Sequence, residues 1–244
     1  MPANNLIVAV TFCADRIGRR RLSYAVNLAE LTDSTLLVVL PPSKNGKIPN
    51  DAGPIYLDTA TIPAGMPVLF STDNIEANIK QLASDPNRQM MAVVSNDEPA
   101  YDQLVRIACK DEDRVFRNGK REILLPFGPG DAGIRTLRTV LPLANLLGAS
   151  LRLYHTTWRN ESVASGDARD HMRSDAKQTM DELQTHGPFV YTIETASEVD
   201  AGINHAALRG GASLVAMSRG RRVIMGGYLN GVRERSPVPT LIVP

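Results

Sequence analysis

One nine-residue segment has a related counterpart in the other half of the chain. Leu28-Ala-Glu-Leu-Thr-Asp-Ser-Thr-Leu36 returns in the second half as Leu143-Ala-Asn-Leu-Leu-Gly-Ala-Ser-Leu151. The apolar runs ahead of the two copies correspond as well, Leu6–Val10 with Ile123–Phe127, at separations of 18 and 16 residues from the repeated segment. A two-residue difference fits in a loop or at a helix end. Further on, Met90–Ser95 stands where Ser213–Ser218 stands. A length of 244 residues allows one large domain or two small ones. Self-similarity decides for two units, divided in the charged stretch Asp111–Arg121, which gives units 1–116 and 117–244.

Within the second unit, strand-length apolar runs alternate with helix-length amphipathic segments, the pattern of an α/β protein with a parallel sheet. Glu122–Phe127 reads as a buried strand that ends in Gly128-Pro-Gly-Asp131. Ile134, Leu137, Leu141 and Asn145 follow at helical spacing, and Gly148 closes that helix. Pro142 inside it is expected to kink it or open one hydrogen bond. Strands at Ser150–His155, Phe189–Glu194, Ser213–Met217 and Thr240–Val243 complete a set of five. Helices are expected at about Ala168–Thr185, Glu198–Arg209 and near Tyr228–Arg235. The first unit reads as a degenerate copy. Pro41–Gly65, dense in proline and glycine, cannot form a long helix and leaves room for a short edge strand around Ile55–Leu57. Tyr101–Lys110 reads as a helix, with no final strand after it.

Composition excludes several classes. Lys and Arg number 27 against 26 Asp and Glu, for a net charge of +1, so the chain lacks the basic footprint of a non-specific nucleic-acid binder. No apolar stretch approaches the roughly 20 residues of a membrane span, and Met-Pro-Ala-Asn-Asn lacks the features of a secretion signal. A soluble, cytoplasmic protein is expected. Cys13 and Cys109 lie outside any CxxC spacing, and His155, His171, His186 and His205 show no HxH or HxxxH spacing, so no metal is expected. Nucleophile-elbow, Walker-lysine and HExxH signatures are absent, and no enzyme is indicated. Trp158, the only tryptophan, is expected to fold back over an apolar face.

The segments ILLPFGPGDAGIRTLRTVLPLANLLGASLRLYH, GASLVAMSRGRR and SPVPTLIVP resemble the universal stress protein family. The resemblance covers about 120 residues well and the first half more weakly, as in a tandem member. It is equally similar to the tandem soluble tails of cation/proton antiporters, and HTTWRNESVASGDARDHM adds weight to that comparison. The resemblance implies two doubly wound parallel-sheet (Rossmann-like) units, with ligand at the carboxyl ends of the strands where their order reverses. It also implies intramolecular pairing of the two halves. A homodimer, or a transporter or regulatory protein as partner, is compatible with it.

Many members of that family hold ATP with G-x-x-G-x9-G-[S/T], because glycines let backbone N–H groups approach phosphates. The matching positions here are Met217, Gly220, Asn230 and Gly231. Only Gly220 fits. Met217 puts a side chain where bare backbone is expected, and Gly231 lacks the hydroxyl donor. The Asp that contacts the nucleoside in the family is replaced by Gly128 here, and by Thr11 in the first half. Arg219, Arg221, Arg222, Arg233 and Arg235 face one acid, Glu234, between Met217 and Arg235. They either serve an anion, lie on a solvated face or pair with acids elsewhere. The candidate ligand edge is therefore Phe127, Gly128, Gly130 and His155, with Met217, Ser218, Arg219, Gly220, Arg221, Asn230 and Gly231. These residues predict a regulatory or ligand-sensing protein with a degenerate nucleotide loop and no certain cofactor. The alternatives are an ATP- or AMP-binding stress-response protein with weak ATPase activity, or the regulatory domain of an antiporter.

Overall fold

Strands that read as unbroken apolar runs need cover on both faces, which parallel sheets receive from their connecting helices. In a computed structural model, residues 6–12, 15–40, 62–71, 77, 90–94, 105–109, 114–116, 119–127, 131–158, 170, 174, 177–178, 181, 189–196, 198–218 and 231–243 are described. The chain forms two units, Met1–Val115 and Phe116–Pro244.

In the first unit, β1 (Leu6–Thr11) leads through α1 (Arg16–Thr32) to β2 (Thr35–Val39), and β3 (Val68–Ser71), β4 (Met90–Val94) and β5 (Val105–Ala108) follow. The order across its sheet is β3-β2-β1-β4-β5, with the registered pairs parallel. Val8, Ala9 and Val10 have no exposed surface, as a central parallel strand requires. α1 starts where the Asp15 carboxylate accepts the Gly18 amide at 2.6 Å. It buries Leu22, Ala25, Leu28 and Ala29 and stops at Asp33, which takes the left-handed conformation (φ 49°).

The second unit runs β6 (Glu122–Pro126), α2 (Asp131–Leu146), β7 (Ser150–Trp158), β8 (Phe189–Ala196), α3 (Val199–Gly210), β9 (Leu214–Ser218) and β10 (Thr240–Val243). Its sheet order, β8-β7-β6-β9-β10, is that of the first unit, and its strands are again parallel. The repeat extends to helix endings. The Ser34 amide donates to the Ala29 carbonyl at 2.9 Å behind Asp33, and the Ala149 amide to the Ala144 carbonyl at 2.8 Å behind Gly148 (φ 59°). Both units are therefore α/β, with parallel Rossmann-like sheets. Leu124, Tyr154, Ile203, Ala207, Val215, Met217, Val232 and Ile242 form a core cluster of the second unit, with α3 on one side.

The structure differs from the sequence reading in several elements. The expected helix Tyr101–Lys110 contains β5 instead, a final strand paired with β4, and Ile107, Ala108 and Cys109 are buried. A short apolar run cannot be assigned by periodicity alone, and here the free edge of β4 decided it. The strand beside β2 is Val68–Ser71, whereas the expected Ile55–Leu57 lies outside the described residues. Pro142 sits in α2, which continues to Leu146. In the stretch expected as a helix after Ala168, the described residues Asp170, Ser174, Lys177, Gln178 and Asp181 are helical. β7 runs on to Trp158, past the expected end at His155, and the packing expected of the Trp158 ring lies outside what is described.

Candidate functional site

Parallel strands bring their carboxyl ends to one edge. In the second unit the chain moves from β6 outward to β7 and β8, then returns to β9 and β10, so the reversal lies between β6 and β9. In open α/β sheets such a reversal is the place where ligands bind, outside the carboxyl ends of the strands. Phe127 follows β6 directly, and Ser218 is the last residue of β9.

Phe127 is held by two bonds to β7. Its amide donates to the Tyr154 carbonyl at 2.8 Å, and its own carbonyl lies 3.0 Å from His155 Nδ1. A carbonyl only accepts, so this bond places the neutral ring's proton on Nδ1 and leaves Nε2 as an acceptor. Phe127 and His155 are thus brought together, as the sequence reading expected of one edge. Met217 is close by in sequence but not in orientation: its side chain is 8% exposed and packs in the core cluster with Tyr154, Val232 and Ile242. Ser218 is half-buried at the strand end. Gly128, Gly130, Arg219, Gly220, Arg221 and Asn230 lie outside the described residues.

Gly231 opens a helical turn spanning 231–235. A Cβ at this position would lie 2.9 Å from Asp200 Cγ and nearer still to Asp200 Oδ2. Asp200, in the first turn of α3, is 8% exposed. Arg235 Nη2 donates to its Oδ2 at 2.6 Å, and the Ala201 amide donates to Oδ1 at 3.0 Å. One of the five arginines of the basic segment therefore pairs with an acid that precedes the segment. Pairing with acids elsewhere is one of the readings the sequence leaves for these arginines, but the sequence does not single out Asp200. The only signal was an acid in a helix first turn, which is too common to mark a site.

Under α3, on the face opposite His155, a second polar group collects. Tyr154 and Thr156 alternate with His155 along β7. Tyr154 is 1% exposed and its hydroxyl donates to Glu194 Oε2 at a long 3.5 Å, while Glu194 also pairs with Arg209. Burial pushes the Tyr154 phenol above its ordinary value, with the Thr156 hydroxyl and the Arg209 charge acting the other way. Gly202 is the close-approach residue here: a Cβ would come within 2.8 Å of Ala196 Cβ and 3.2 Å of the Tyr154 hydroxyl.

The described groups at this edge are a carbonyl-anchored imidazole, a strand-end serine and a buried carboxylate paired with a largely exposed guanidinium. Among the described residues, no group of three or more His, Cys, Asp or Glu could hold a metal ion, and no helix is long and apolar enough to cross a membrane.

The model of the universal stress protein family matches residues 120–244. A universal stress protein of Archaeoglobus fulgidus DSM 4304 is similar in fold, with a TM-score of 0.57 and 14% identity over 97% of this chain and 95% of that one. A functionally unknown protein of Pseudomonas aeruginosa PAO1 is similar with a TM-score of 0.59 and 14% identity over 99% of this chain and 92% of that one. No curated protein matches the chain.

Proposed function

Because the chain belongs to the universal stress protein family, we propose that it is a tandem ligand-sensing regulator, not an enzyme, whose second unit binds a small ligand at the carboxyl edge of β6, β7 and β9. The ligand class to test first is the adenine nucleoside and its phosphates. Phe127, His155 and Ser218 would line that edge, together with Gly128, Gly130 and the segment Arg219, Gly220 and Arg221. Asn230 and Gly231 would border it.

The observation that carries the reading is the contact of Asp200 with Gly231. Conventional triphosphate binding in the family uses a Ser or Thr hydroxyl at this place, whereas here a glycine stands with a buried carboxylate lying against it. The edge keeps polar groups suited to a ligand body while the phosphate side is closed.

Equilibrium binding of adenosine, AMP, ADP and ATP to the full chain tests this, with amide shifts at Phe127, His155 and Ser218 as the local readout. The expected result is binding in which each added phosphate gives no gain. Micromolar ATP affinity that both Arg219→Ala and Gly220→Ala abolish would overturn the reading in favour of an ATP-dependent switch.

A further inference from the structure

Gly231 and Arg235 together have what an anion needs. The glycine exposes backbone without a β-carbon, and the arginine, whose side chain is 60% exposed, offers a planar fork of donors. The helical turn between them is too short to add a useful dipole, so the attraction belongs to the guanidinium. That place is already filled from within the chain. Asp200 Oδ2 lies against the Gly231 Cα and accepts from Arg235 at 2.6 Å.

Neither side of this contact is a loose surface pairing. On one side Val232, next to Gly231, has no exposed surface and is packed in the core cluster, and the Ser236 amide closes the turn on the Val232 carbonyl at 2.7 Å. On the other side Asp200 belongs to α3, which the buried Ile203, Ala206 and Ala207 anchor in the same cluster. Both partners are therefore fixed by apolar packing, and the carboxylate meets the glycine because the core holds it there.

We infer that Asp200 is a built-in occupant that excludes phosphorylated groups from Gly231 and Arg235, and so sets the ligand charge this edge accepts. An incoming phosphate meets the carboxylate both as a steric obstacle and as a like charge, with the cation between them already committed. The selected class is a ligand carrying little negative charge on this side, such as a nucleoside rather than its triphosphate. For that class the inference rests on the edge being a ligand site; the exclusion of anions is a separate property of the three residues.

The test uses the full chain and three probes: inorganic tripolyphosphate, adenosine and AMP. In the wild-type protein the Gly231 amide is expected to stay unmoved by tripolyphosphate at about millimolar concentration. Asp200→Asn keeps the shape and removes the charge, and should bind tripolyphosphate at least about tenfold more tightly. Adding Arg235→Gln to it should abolish the gain. Asp200→Ser serves as a second, smaller neutral variant. A wild-type Gly231 amide that moves with tripolyphosphate, or folded Asp200→Asn and Asp200→Ser proteins that gain nothing, overturns the inference. Adenosine and AMP separate it from the function proposed above: silence of both beside a gained tripolyphosphate site sinks the ligand edge and leaves the occupant standing. Adenosine binding without that gain does the reverse.

Discussion

Gly231 is constrained by one absent carbon. Read from sequence, its interest was the hydroxyl it lacks; in the structure it is the Cβ it cannot have, because Asp200 fills that space. Gly231→Ala is therefore expected to push the carboxylate aside, strain its bond to Arg235 and lower stability by about 1–3 kcal/mol in urea unfolding. No inspection of residues near 231 would show this, since the determining side chain lies 31 positions earlier on another helix. Asp33 is the opposite case, legible from the repeat. It aligns with Gly148, and both take a left-handed backbone at the same helix ending. Aspartate tolerates that conformation less well than glycine, whereas glycine loses more entropy on folding. Asp33→Gly should therefore raise stability modestly, by about 0.5 kcal/mol, read as a higher urea midpoint at unchanged slope.

At the scale of elements, legibility followed burial pattern. β6, β9 and β10 were readable because strands covered on both faces carry unbroken apolar runs, and their burial bears this out. β3 carried no such mark: Leu69 and Phe70 are about half exposed, and the run is four residues long. β5, equally short, looked like part of a helix until an unpaired strand was available to receive it. The packing of α3 on β7 and β8 was not legible either, because it depends on Gly202 admitting the Tyr154 hydroxyl and Ala196 beneath the helix. This packing predicts a pH dependence. Burial raises the Tyr154 pKa above the value near 10.0 that it has when exposed. On raising the pH the unfolded chain then loses this proton before the folded one does, so the unfolded state binds fewer protons and stability falls. The contribution is complete below about pH 10 and is lost as the pH rises through the folded pKa. Tyr154→Phe should flatten the alkaline limb of urea midpoint against pH; a limb of unchanged steepness would place the loss in other groups.

At the scale of the molecule, two units with the same strand order raise the question of what each needs in order to fold. The second has a core drawn from its own strands and helices, from Leu124 through Tyr154 and Ile203 to Ile242. Its amino-terminal edge is tied by the strap that precedes β6. The Arg121 carbonyl accepts from the Ser150 amide at 2.8 Å, the Glu122 carbonyl from the Ser213 amide at 2.8 Å, and Lys120 Nζ donates to the Gly210 carbonyl at the end of α3. Buried Glu122 also meets Arg152 at 3.0 Å, so β6, β7, α3 and β9 are fastened at this end by one short segment. The outermost member is Phe116, whose ring lies 5.6 Å from the Arg121 guanidinium carbon. A chain of residues 116–244 should therefore unfold in a single cooperative transition. Starting instead at residue 117 removes the ring from beneath Arg121, and should lower stability by about 0.5–1 kcal/mol without broadening the transition. Broad, non-cooperative melting of the 116–244 fragment would show that the second sheet depends on the first half of the chain. Equal midpoints for the two fragments would show that the strap's hydrogen bonds hold that edge without the ring.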